Sequence, residues 1–196
     1  MNQLGNLFSC GQSFIVFDLE LTAWEGSLES NWSRPGEFRE IVQIGAVRLG
    51  SDLSETAAFS QYVRPTRNPI LSAYFIDLTG IDQKMIDRLG VDLASALDLF
   101  ARFIDDSRSV VSNGPDGDVL LENCRLNNLT CPVSVSLFKN IRSDISGALS
   151  VSDDKADSYR LPSIAGLTIQ ARAHDALNDA RCVAAALRRI AEDIIY

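Results

Sequence analysis

Residues 14 to 22 read FIVFDLELT. Four apolar side chains in a row, Phe14 to Phe17, mark a strand buried on both faces, and that strand runs straight into Asp18, Leu19 and Glu20. Along an extended chain, residues i and i+2 project to the same side, so Asp18 and Glu20 stand together while Leu19 turns the other way, into the core. Two carboxylates side by side repel each other, and without a partner one of them takes up a proton. A divalent cation removes the repulsion, and magnesium and manganese suit oxygen ligands. An isolated D-x-E is more commonly a strand running out into solvent. The rest of the chain has to decide between these readings.

Outward from that strand, EIVQIGAVRL (40–49) is a second strand, with Gly45 marking a bulge or a close approach. TAAFSQYVRP (56–65) is a third, stopped by Pro65. The short turn between these two strands suggests an antiparallel meander. The period then changes. SAYFIDLTG and DQKMIDRL read as two short helices broken at Gly80, and residues 92–106 as a longer amphipathic helix with Leu93, Ala96, Leu97, Phe100, Ala101 and Ile104 on one face. RSVVSNG (108–114) is a short strand, GDVLLENCRLN begins a helix, and residues 175–195 form a last helix. Residues 128–160 carry no clear period beyond helical fragments. Strands followed by mixed helices and further strand predict an α/β domain with a mixed sheet, in which ligands bind beyond the ends of central strands. No repeat or second-domain boundary is visible, so one domain over 1–196, with its core at about 13–192, is expected.

The composition, 46% hydrophobic and 22% charged over 196 residues, is that of a soluble globular protein with a single core. No apolar run approaches the ~20 residues of a membrane-spanning helix, and no secretory signal is visible, so a cytoplasmic protein with no membrane partner is expected. Cys10, Cys124, Cys131 and Cys182 have no C-x-x-C pairing and read as reduced, mostly buried thiols. The net charge of −8 excludes a protein that coats duplex nucleic acid with a basic face. It does not exclude an enzyme that grips a few nucleotides at one site.

Two further segments carry chemistry. In RAHDALNDA (172–180) the only histidine, His174, lies five residues before Asp179. If Asp175 caps the final helix, His174 stands just before its first turn and Asp179 about one turn in, so both can face one site. In VVSNGPDGDVLLENC, Asp116 or Asp118 sits at a helix N-terminus, where a carboxylate can act simply as a cap. Asp116 is preferred because positions +3, +4 and +8 from it are apolar; Asp118 is the alternative.

FDLELTAWEGS, REIVQIGAVRL, FSQYVRP, IDLTGI, SNGPDGDVL and RAHDALNDARCVAAAL occur here in one order. In that order and spacing they resemble the DnaQ-like 3′-to-5′ exonucleases, the DEDDh branch of the RNase H-like superfamily, and most nearly its histone-mRNA exonuclease and KapD-type group. The resemblance runs from about Phe14 to about Ala191. It implies an RNase H-like mixed sheet, an antiparallel meander plus parallel strands, flanked by helices. It implies that Asp18, Glu20 and Asp179 bind metal, that Asp116 supports the site, and that His174 is the general base. The cofactor it implies is Mg²⁺ or Mn²⁺, two per site, which together activate water and steady the leaving oxygen. The terminal nucleotide would contact Leu21, Thr22, Trp24, Phe75, Leu78 and Thr79, with Arg172, Arg34 and Arg39 as candidate phosphate contacts. The expected partner is RNA or DNA with a free 3′ end, single-stranded or short. One departure stands out: that group carries Trp-Gly before the second acidic motif, whereas Asn113 precedes Gly114 here. A non-catalytic binding member of the same fold, and a phosphatase with Asp18 as nucleophile, are the competing readings. The phosphatase chemistry would want a second Asp where Glu20 stands.

Overall fold

The computed structural model describes residues 3–9, 11–105, 107–168 and 172–195. In chain order the elements are α1 (Gln3–Ser9), β1 (Phe14–Leu21), α2 (Ser27–Ser30), β2 (Ile41–Leu49), β3 (Glu55–Tyr62), α3 (Ala73–Thr79), α4 (Gln83–Leu89), α5 (Leu93–Ile104), β4 (Val110–Ser112), α6 (Asp116–Leu126), β5 (Phe138–Asn140), α7 (Arg142–Ala148), α8 (Leu161–Ile164) and α9 (Ala176–Ile195). Local signals account for the helix starts. Ser72, Asp82 and Asp92 each accept a bond from the amide three residues on, capping α3, α4 and α5. Gly80, at φ 71, ends α3 in the left-handed conformation.

The sheet has five strands in the order β3-β2-β1-β4-β5. β1 is antiparallel to β2 and parallel to β4, and β2–β3 is antiparallel while β4–β5 is parallel. The expected meander is therefore present, and β1 is the strand at which the sheet changes sense. Its alternation sorts two cores. Ile15, Phe17 and Leu19 pack with α5 and α6 through Leu97, Phe100 and Leu120. Phe14 and Val16 face the opposite layer, where α9 lies with Ala180, Val183, Ala184 and Leu187. Asp18 and Glu20 continue that second face, so the pleat aims both carboxylates at the layer that holds α9.

The strand expected over 56–65 ends at Tyr62, and Val63 adds only an isolated bridge to Val91. The strand expected over 108–114 shrinks to three residues. Residues 128–160 contain β5, α7 and single turns of 3₁₀ helix at Asp153–Lys155 and Ser158–Arg160. A three-residue strand is too short to display a period, which is why β5 is silent in the sequence. No helix among the described residues is long and apolar enough to cross a membrane. Cys124, Cys131 and Cys182 are free thiols, as expected; Cys10 lies outside the described residues.

A helix comes directly onto the sheet at Gly45, which pairs across the ladder with Asp18. A Cβ at Gly45 would sit 2.1 Å from the Leu177 amide nitrogen and 2.2 Å from the Ala176 carbonyl carbon. Only glycine lets the first turn of α9 rest directly on β2. Gln43, one step along that face, locks the contact: its Oε1 accepts from the Ala176 amide at 3.0 Å and its Nε2 donates to Asp175 Oδ2 at 3.1 Å.

Candidate active site

Asp175 caps α9 as its position in the sequence suggests, with Oδ1 accepting from the Asn178 amide at 3.0 Å. The residue before it, His174, has φ 59, a left-handed conformation rare for a residue with a side chain. That turn folds the chain back so that the His174 amide donates to Asp179 Oδ2 at 3.1 Å. The other oxygen, Asp179 Oδ1, is buried and has no hydrogen-bond partner. Glu20, His174 and Asp179 each bring one ligand atom to within 4.8 Å of the others. Asp18 is not among those three; its Oδ1 accepts from the Ser158 hydroxyl at 3.3 Å.

The electrostatics describe a site short of positive charge. Burial, then Asp116, Asp179 and Glu20, hold the Asp18 carboxyl well above the ordinary aspartate range. Burial, then Asp179, Asp175 and Asp116, do the same to Glu20. Burial pushes Asp179 up to about 7 although the His174 amide opposes it. Burial takes Asp116 to about 6 against bonds from its own amide and that of Leu19. His174, half-buried, moves the other way: loss of water lowers its pKa, against the pull of Asp157. A crowd of acids with one orphaned buried oxygen fits a hard divalent cation, which would neutralise the mutual repulsion and take up the free lone pairs.

Asp116 is the first residue of α6, whose N-cap is Pro115, so neither acid caps that helix as expected. Asp116 enters the carboxylate cluster, whereas Asp118, two positions on, is exposed. Asn113, standing where the related group has Trp, is put to local use. Its Nδ2 donates to the Ala156 carbonyl at 2.7 Å and to the Ser158 hydroxyl at 3.2 Å, and Ser158 in turn reaches Asp18. The neighbouring Tyr159 packs its ring 5.4 Å from the His174 ring. Ser158, Tyr159 and Gln43 were missed by sequence reasoning. The first two lie in the unpatterned stretch, and Gln43 looks like an ordinary strand residue.

Beside the acids lies a cleft of about 340 Å³ lined by Glu20, Leu21, Trp24, Tyr74, Leu78 and His174, with Leu28 and Trp32 at its wall. Leu21, Trp24 and Leu78 thus stand where a nucleotide contact was expected. Thr22, Phe75 and Thr79 do not, and these expectations are corrected. Phe75 is buried in a core cluster with Val42, Leu71, Ile81 and Ile86. The Thr79 hydroxyl donates to the Phe75 carbonyl and accepts from the Ile81 amide, closing the end of α3. The Thr22 hydroxyl joins the Phe38 carbonyl to the Glu40 amide. In each case the side chain serves the fold that carries the cleft. Tyr74, one residue before Phe75 and 42% exposed, takes the outward position instead. Of the arginines, Arg34 is held by Glu37 and Arg39 by Glu122, while the Arg172 guanidinium fills the space left open by Gly80.

The family model described as Exonuclease (RNase_T) matches residues 15–187. The mouse 3′-5′ exoribonuclease 1 is 27% identical over 202 residues, which cover 94% of this chain and 56% of that protein. The Drosophila melanogaster 3′-5′ exonuclease Snipper is 35% identical over 91 residues, 46% of this chain and 31% of that one. The chain therefore spans about half or less of the length of these curated relatives. Among solved structures, the nuclease domain of 3′hExo, a DEDDh family member bound to rAMP, superposes with a TM-score of 0.80 at 26% identity and covers 94% of each chain. The cell-death related nuclease 4 (CRN-4) shares the fold, with a TM-score of 0.75 at 17% identity, covering 93% of this chain and 64% of that one. Carboxylates drawn together from β1, α6 and α9, the matched family model over nearly the whole sheet, and a DEDDh nuclease superposing from end to end lead to one statement: this chain belongs to the Exonuclease (RNase_T) family.

Proposed function

We propose that the protein is a divalent-metal-dependent 3′-to-5′ exonuclease that removes nucleoside monophosphates from the free 3′ end of single-stranded or short RNA or DNA, with Mg²⁺ or Mn²⁺ as cofactor. The observation that carries this reading is the convergence of Asp18, Glu20, Asp116, Asp179 and His174 beside an aromatic-walled cleft open to solvent. Asp18, Glu20 and Asp179 would hold the metal. When bound, a divalent cation neutralises charge on the scissile phosphate and lowers the pKa of water. His174, kept neutral by partial burial, accepts the proton of the attacking water at an imidazole nitrogen. The backbone bond to Asp179 fixes the His174 main chain and the Tyr159 ring packs 5.4 Å from the imidazole, which together keep the base beside the acids. Trp24, Tyr74 and Leu78 supply the faces against which a terminal base stacks, and Asp116 keeps the acidic wall complete. The relatives named as exoribonucleases support RNA as one substrate, and the solved neighbour bound to rAMP supports a nucleotide in this position.

The deciding experiment is a panel of 5′-labelled single-stranded RNA, single-stranded DNA and overhang duplexes, each incubated with Mg²⁺, Mn²⁺ or chelator. Stepwise shortening from the 3′ end that stops with chelator is the expected result. Release of terminal phosphate alone, or no reaction with either metal, refutes the assignment. His174→Ala is expected to slow turnover by about 10²-fold or more, the range of general base removal, with the thermal transition unchanged.

A further inference from the structure

Two of the thiols lie together in the core that faces away from Asp18 and Glu20. Cys124 is buried there with Phe17, Phe100, Leu120 and Val133, and Cys131 packs against the same cluster. Cys131 follows Cys124 by seven residues, and one turn brings the two face to face. α6 ends in a Schellman turn. The Leu129 amide donates to the Cys124 carbonyl at 2.8 Å, and the Asn128 amide donates to the Arg125 carbonyl at 3.2 Å. Asn128 takes the left-handed φ of 54 that this reversal needs. Pro132 disfavours helical geometry at Cys131, so the chain runs back along α6, and buried Val133 anchors it there.

The two thiols are not equivalent. Cys124 is enclosed, whereas Cys131 is partly exposed between the exposed residues Thr130 and Pro132. The Cys131 sulfur accepts from the Cys124 thiol and from the Val133 amide. These two bonds, the first above all, bring Cys131 down to about 7 against its partial burial. The bond to Cys131, and then burial, push Cys124 up. At pH 7 Cys131 is therefore about half thiolate, where an ordinary thiol with a pKa of about 8.5 is ~3% ionised. One sulfur meets solvent as a nucleophile, and the other stands directly behind it.

We infer that Cys124 and Cys131 form a peroxide-responsive pair: Cys131 reacts with a hydroperoxide, and Cys124 resolves the product as a disulfide that ties α6 to the segment leading into β5. In the first step the Cys131 thiolate attacks the peroxide oxygen. The S–O bond forms, the O–O bond breaks, and the departing oxygen leaves as hydroxide or alkoxide and takes a proton from solvent. In the second, the Cys124 sulfur gives up its proton and attacks the Cys131 sulfenic acid. The S–S bond forms, the S–O bond breaks, and hydroxide leaves with that proton as water. The thiol pair loses two electrons and the hydroperoxide gains them. The sulfurs are already in hydrogen-bond contact, so closing to the ~2.05 Å of a disulfide asks only for a small approach of the returning loop. Between α6 and the three-residue edge strand β5 the chain holds only one 3₁₀ turn, Val135–Leu137, so the new bond fastens a weakly structured connection. None of the acids of the candidate active site takes part, and the inference does not depend on the exonuclease reading.

The test treats reduced protein with hydrogen peroxide at pH 7, blocks the remaining thiols and maps tryptic peptides by mass. Cleavage at Arg108, Arg125 and Lys139 puts Cys124 in peptide 109–125 and Cys131 in peptide 126–139. The expected product is these two peptides joined and short of two hydrogens, separated again by dithiothreitol. The linked protein is expected to melt about 5 °C or more above the reduced one, the effect of closing a short loop. Cys131→Ser, at a partly exposed position, should keep the reduced melting temperature and give no linked pair. Cys124→Ser should leave Cys131 as a sulfenic acid that dimedone traps. A disulfide through Cys10 or Cys182 instead, a wild-type Cys131 that runs on to the sulfinic acid unlinked, or a linked protein that melts no higher than the reduced one overturns the inference.

Discussion

Gly45→Ala offers a measurement of how much of the site depends on one helix-to-strand contact. The added methyl would lie 2.1 Å from the Leu177 nitrogen, 2.2 Å from the Ala176 carbonyl carbon and 2.6 Å from its oxygen, where ordinary contact begins at 3.4 Å. All three are backbone atoms, so no rotamer relieves the clash, and the first turn of α9 must withdraw by more than about 1 Å. Both Gln43 bonds to that turn stretch with it. Overpacking of this kind costs about 1–3 kcal/mol. A functional cost comes in addition, because His174 and Asp179 move with that turn while Asp18 and Glu20 stay on β1, and a shift of ~1 Å in a reacting group costs about 10²-fold in rate. The assay is single-turnover cleavage of a labelled oligonucleotide at saturating Mn²⁺, paired with urea unfolding on the same preparation. The expected variant is folded, modestly destabilised and about a hundredfold slower. A Gly45→Ala protein that cleaves within threefold of the wild type would show that the approach of α9 to β2 does not set the geometry of the site.

Three further outcomes are expected. In metal-free protein, Asp116 and Asp179 titrate near 6 and 7, above their unfolded values, so the folded state binds more protons than the unfolded chain between about pH 4 and 7, and stability falls as pH rises through that window. The thermal midpoint without metal should therefore be lower at pH 8 than at pH 5, and Mn²⁺ should raise it more at pH 8; a metal-induced shift of the same size at both pH values contradicts the charge assignment. Asp116→Asn should slow cleavage at least a hundredfold while Asp118→Asn, an exposed change, stays within twofold of wild type in the same assay. Glu40→Ala leaves the amides of Thr66, Arg67 and Asn68 without their acceptor in a buried setting, at about 1–3 kcal/mol for each amide that water does not reach; a loss below about 1 kcal/mol in urea titration would show that water takes them all.

The parts legible in the sequence are those whose signal is local. β1, β2, the Gly80 break, α5 and the Asp175-capped α9 could be read because apolar period, glycine and caps act within one or two turns. The carboxylates of Asp18 and Glu20 could be paired because an extended strand has a fixed alternation. Thr22, Phe75 and Thr79 were misjudged for the same local reason: proximity to a motif places the backbone at the cleft, but the side-chain direction depends on tertiary packing. One residue of rotation along α3 exchanges buried Phe75 for exposed Tyr74. β5, Ser158 and Tyr159 were out of reach because their structure comes from neighbours distant in sequence, parallel pairing with β4 and contacts with Asp18 and His174.

Glu20 and Asp179 are separated by 158 intervening residues, and the first turn of α9 is the final component of the site to be made. During synthesis the chain presents its first acidic pair long before the opposing helix exists, and closing so long a loop is entropically slow. A chain synthesised only as far as Leu167 holds Asp18, Glu20 and Asp116 but neither His174 nor Asp179, so the acidic cluster and its imidazole come together only once α9 has been laid against the sheet.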